Sequence, residues 1–199
     1  CRGVRGHGAS AGVFRLPRRF ADDADGGAAA VEFALVLPIL VLILFGIIDY
    51  GLYFSDSFSA RSGVQEAARE GSVANFDPAA CANYHLTLDT TTSTPSPDIT
   101  DLMCMTGKDT GDLTGHIYVA VVVDPTTGWK PGSRFAVCEL VTVAGITGYT
   151  PLPHGGEVRI KNVVAVEQTA PVDPATGDPP VESSGYEQLP HGDWSWCTP

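Results

Sequence analysis

An α+β chain, with a long N-terminal transmembrane helix continuing into a small antiparallel β-sheet domain, is predicted by three features of the sequence. Residues 28–48 are all apolar, small or proline except for Glu32. Helical spacing of aromatic and small residues persists beyond that run, to about Val73. Three β-branched runs then follow, at 117–123, 134–147 and 157–168. An apolar run of about 20 residues is long enough to cross a bilayer as a helix. A helix and a sheet that each carry one apolar face bury those faces against one another.

Residues 1–27 mix Gly, Arg and Ala without apolar periodicity and read as a flexible cytoplasmic leader. Five arginines precede Gly27 (Arg2, Arg5, Arg15, Arg18 and Arg19), against three aspartates. Seven basic and 20 acidic residues follow it, a net −13 within a chain of 199 residues and net charge −11. Arg and Lys beside a membrane span are retained in the cytoplasm. The N-terminus is therefore expected inside the cell membrane and the bulk of the chain outside it. So acidic a surface offers nothing to the phosphates of nucleic acid. A cleaved secretory signal is the competing reading, but the run is longer than a signal core and no small-x-small cleavage motif stands just beyond it.

The transmembrane helix is assigned to 28–49, and the aromatic cluster Tyr50, Tyr53 and Phe54 suits a membrane interface. Its extramembrane continuation takes 50–74. There Tyr50, Tyr53, Phe54, Ser57, Ala60, Val64, Ala67, Ala68 and Gly71 fall three or four apart on one stripe. Asp56, Arg61, Gln65, Glu66 and Arg69 lie mainly off it. Asn75, Asp77 and Pro78 end the helix, and Pro38 predicts a kink or local loosening. Residues 75–116, rich in Thr, Ser and Pro, read as a loop region. The runs within 117–168 predict an antiparallel meander whose apolar face covers the stripe. Residues 169–199, with Pro171, Pro174, Pro179 and Pro180, read as an irregular tail.

Of five cysteines, Cys1 falls on the cytoplasmic side and Cys81, Cys104, Cys138 and Cys197 in the exported part. Four exported thiols predict two disulfides, for which three connectivities exist. Pairing Cys81 with Cys104, closing the Thr-rich loop, and Cys138 with Cys197, tethering the tail, is the preferred one.

The block GAAAVEFALVLP from Gly27 to Pro38, followed by FGIIDYG from Phe45 to Gly51, resembles the N-terminus of TadE-like proteins. These are minor pseudopilins of the tight-adherence (Tad, type IVb or Flp) pilus machinery. Ala67-Ala68-Arg69-Glu70-Gly71 resembles the family's small-residue helix end, and Tyr149-Thr150-Pro151-Leu152 with Val166-Glu167-Gln168 is more loosely similar to its C-terminal sheet. The close part of the resemblance covers about residues 26 to 71. It implies a pilin-like fold and cleavage by a prepilin peptidase between Gly27 and Ala28, leaving Glu32 fifth in the mature chain. It further implies that Glu32 pairs with the new ammonium of a neighbouring subunit. Subunit assembly then runs through the helix, with Glu32, Phe33 and Pro38 as its marked residues and Ala28, Ala29, Ala30, Ala34 and Gly46 allowing close approach. Asp22, Asp23 and Asp25 precede the cut, where such leaders tend to be basic.

No nucleophile elbow, phosphate-cradling glycine loop or metal helix motif occurs, so no enzyme is expected, and no small-molecule substrate or cofactor. His85, His116, His154 and His191 share no metal-ligand spacing and no Cys-x-x-Cys is present, so no metal site is expected. The acidic residues Asp98, Asp101, Asp109 and Asp112 lack EF-hand spacing and read as a solvated loop. The expected partners are the membrane, the peptidase, and other pilins or pseudopilins, with incorporation in a surface pilus left open. The alternative is an unprocessed single-pass envelope protein that displays a small exported adhesin or binding domain.

Overall fold

The computed structural model describes residues 24–82, 84–91, 93–111, 113–148, 151–169, 183–190 and 192–199. The leader up to 23, most of the proline-rich part of the tail, and Asp112, Tyr149, Thr150 and His191 lie outside the described residues. The chain divides into two compact units, Cys1–Ile43 and Leu44–Pro199. The described part of the first is the beginning of helix α1, Ala24–Ser72. Of this helix, 27–48 is exposed apart from the half-buried Val41 and Gly46. α1 passes through Pro38 as one uninterrupted helix, so the looser reading at that proline does not appear as a break.

The second unit is an antiparallel sheet with helices on one face. Its strands are β1 (His116–Val123), β2 (Arg134–Thr142), β3 (Glu157–Ala165) and β4 (Gly185–Tyr186), in the order β3-β2-β1-β4. β1 pairs with β2 from His116 opposite Thr142 to Val123 opposite Phe135. β2 pairs with β3 from Arg134 opposite Ala165 to Thr142 opposite Glu157. The three expected strands thus form the expected meander, with β2 and β3 ending earlier than their apolar runs.

Alternation along β2 divides the core in two. Phe135, Val137 and Val141 join Ala60, Val64, Ala67 and Ala68 of α1. Ala136, Cys138 and Leu140 point the other way and pack with Trp194 and Cys197. The small residues of α1 set how closely its neighbours approach. A Cβ on Gly71 would meet Leu102 Cδ2 at 2.9 Å and the Phe135 ring at 3.0 Å. One on Gly63 would meet the Thr110 backbone N at 2.7 Å.

Two regular elements correct the sequence reading. Within the region assigned to loop, 75–116, a helix α2 occupies Pro97–Thr110 and buries Ile99, Leu102, Met103 and Thr106. Pro97 takes the first helical turn, where its missing N–H costs nothing, Asp98 is favourable there, and Gly111, at φ +79°, ends the helix. Within the tail assigned as irregular, β4 pairs through Tyr186 and Gly185 with Ala120 and Val121. The helical stripe is also corrected. Asp56 is buried, whereas Phe54 is 53 % exposed, so the packed face is rotated toward the carboxylate.

Disulfides join Cys81 to Cys104 and Cys138 to Cys197, the preferred pairing. The first ties a 3-10 turn, Ala80–Ala82, to α2. The second fastens the last residues to the sheet, where Trp194 Nε1 also donates to Glu187 O at 2.8 Å.

Candidate assembly site

The residues singled out for assembly lie on one exposed helical surface. Gly27 has no atom within 4 Å of where a Cβ would stand. Ala28, Glu32 and Pro38 are exposed, and Phe33 is 63 % exposed. Val31, Leu35, Val36, Ile39 and Ile43 are each more than half exposed around the same stretch. An apolar helix with every side accessible is a membrane or helix-bundle surface, and Glu32 is its sole ionisable group from 27 to 48. This is one helix long and apolar enough to cross a membrane, compatible with single-pass anchoring.

Where α1 leaves its apolar run, two carboxylates become the clamps that join it to the sheet domain. Asp49, 1 % exposed, accepts the Ile146 backbone N–H on Oδ1 at 3.0 Å and the Thr147 hydroxyl on Oδ2 at 2.5 Å. Asp56 Oδ2 accepts the Thr114 backbone N–H at 3.2 Å and also the Thr114 hydroxyl. The Tyr50 hydroxyl donates to Pro151 O at 2.8 Å. At the far end of the helix, Ser72 O accepts the N–H groups of Glu167 at 2.7 Å and Gln168 at 3.1 Å. Sequence reasoning assigned no such role to Asp49 or Asp56. The available signal was their spacing, since seven residues is two turns and puts both on one face.

Buried acids recur deeper in the domain. Glu139, fully buried on β2, is pushed up to about 8 by burial, with the Thr110 hydrogen bond opposing. Thr110 Oγ1 lies 2.9 Å from both Glu139 Oε2 and Thr106 O. One hydroxyl proton can serve only one of these oxygens. A protonated Glu139 supplies the other hydrogen bond, in accord with its raised value. Glu187, also raised by burial, accepts Val119 N–H at 3.0 Å and Thr87 N–H at 3.3 Å. It lines a cleft of about 670 Å³ together with Tyr84, His85, Lys108, His116 and Tyr118. Both its oxygens serve backbone donors, so its place is structural. Among the described residues, no group of three or more His, Cys, Asp and Glu is set to hold a metal ion.

No curated protein and no solved structure matches the chain. Residues 27–72, from the glycine before the apolar run to the last residue of α1, match the family model described as TadE-like protein, a likeness confined to that helix.

Proposed function

We propose that this chain is a non-enzymatic minor pseudopilin that assists biogenesis of a Tad-type pilus used in adhesion or secretion. The observation that carries the reading is Glu32, the single carboxylate in the exposed apolar run 28–48 of α1, within the stretch that matches the TadE-like family model. A prepilin peptidase at the cytoplasmic face cuts after Gly27 and creates an ammonium on Ala28. Glu32 of an adjoining subunit pairs with that charge in a low-dielectric helix bundle, because leaving either unpaired in lipid costs about 2 kcal/mol or more. α1 starts at Ala24, ahead of the cut. The Gly26-Gly27 pair makes its first turn easy to open, each glycine being about 1 kcal/mol less favourable than alanine in a helix.

Mass spectrometry of the membrane-extracted protein tests this reading. A mature chain beginning at Ala28 is expected; another terminus overturns the reading, and an intact leader does so in favour of an unprocessed anchor that displays its exported domain. Glu32→Ala tests the pairing separately. The variant should insert normally but lose co-purification with the pilus subunits, and full recovery of those subunits would remove the role assigned to Glu32.

A further inference from the structure

Just beyond the apolar run, α1 and the loop it holds present no charge at the surface. Between residues 33 and 60 the only charged groups of α1 are Asp49 and Asp56, and both are buried against backbone and hydroxyl donors of neighbouring loops. The loop held by Asp49 is likewise uncharged. From 140 to 156 there is no Asp, Glu, Lys or Arg, although such residues make up 18 % of the chain. In the middle of this stretch Ile146 is 71 % exposed, and with Val163 it is one of two large apolar side chains exposed outside α1 among the described residues. Its own N–H is bonded to Asp49, the residue that directly follows the apolar run.

We propose that loop 144–148 is a membrane-contact element, with Ile146 seated in the interfacial layer of the bilayer that α1 crosses. This rests on α1 spanning a membrane. The Asp49 clamp holds the loop level with the end of the apolar run, so an exposed isoleucine there meets lipid before it meets bulk water. At that depth an acidic side chain would lose hydration and face the negative phosphates of the headgroups. The two carboxylates on this part of α1 are accordingly turned inward to donors, and the loop has none. The loop thereby approaches the lipid surface without bringing a charge to it. The contact supplements the span by fixing how deep the domain sits and how it is turned about the helix.

The test uses the full chain carrying Cys1→Ser, oxidised so that the four remaining cysteines stay paired, in phosphatidylethanolamine–phosphatidylglycerol vesicles. An environment-sensitive fluorophore is placed on Ile146→Cys, on Val163→Cys, or on Leu40→Cys. Interfacial apolar groups sit roughly 5–10 Å into the headgroup and acyl boundary. Lipids with a shallow nitroxide should therefore quench the label at 146, lipids with a deep nitroxide the label at 40, and aqueous iodide the label at 163. A label at 146 that responds to iodide as 163 does, with 40 still quenched by lipid, overturns the loop contact and leaves the span standing. Shielding of 146 from both quenchers means that protein covers it, and overturns the proposal too. If 40 escapes lipid quenching, the span falls and the loop contact with it.

Discussion

Four acids of this chain reach three different electrostatic solutions, and each has its own consequence. Glu32 stays exposed on an apolar helix, and its proposed partner lies outside the chain. Asp49 and Asp56 are buried beside donors. Glu139 is buried beside a hydroxyl and takes up a proton. Its folded value, about 8, lies above the ordinary 4.5, so its contribution to stability is complete below about pH 4.5 and is lost as pH rises through 8. The domain should therefore melt at a higher temperature at pH 5 than at pH 8.5. Glu139→Gln, which keeps a donor for Thr110, should flatten this dependence and exceed the native protein in stability at pH 8.5. Glu187, raised in the same direction, retains part of the slope. Thermal unfolding at the two pH values checks the sign. A polar residue in an apolar strand pattern is visible in RFAVCELVT, yet its burial is not, since that depends on Thr110 arriving from a helix remote in sequence.

At the level of elements, packing is decided by glycines that leave no room. Gly63→Val would drive a side chain against the Thr110 backbone and should cost about 1–3 kcal/mol, the usual penalty of overpacking. Gly51→Ala, with nothing within 4 Å, should be neutral or mildly stabilising. Denaturant titration of both variants separates close approach from helix propensity. α1 and strands β1 to β3 were legible because each is long enough to display a period, 3.6 or 2. α2 was not read, although Ser96-Pro97-Asp98 is a helix start and Ile99, Leu102, Met103 and Thr106 follow at helical spacing. The Thr, Ser and Pro immediately before it dominated the composition of the window. β4 has two residues and no period to detect, and its place is set by pairing with Ala120 and Val121. The stripe on α1 follows aromatic and small residues and so passes by Asp56, whose burial depends on donors from another loop.

Across the whole molecule, the two disulfides enclose different lengths of chain and should matter unequally. Cys138 and Cys197 are 59 residues apart, Cys81 and Cys104 only 23. By loop-closure entropy the longer link is worth about 4 kcal/mol and the shorter about 3. The double variant Cys138→Ala, Cys197→Ala should lose the larger amount in denaturant titration. It should also release Trp194 and Leu140, which share a cluster on the sheet face away from α1, a change readable in tryptophan emission. The paired carboxylates on α1 have a mechanical consequence as well. Asp49 and Asp56 each find donors in a single register, as Gly63 and Gly71 each face their close neighbour in one. A slip of one turn, about 5.4 Å, would strand both charges at once. Tension along the helix thus meets two latches two turns apart, beside the bonds of Tyr50 and Ser72, and the domain travels with its helix when the helix is pulled.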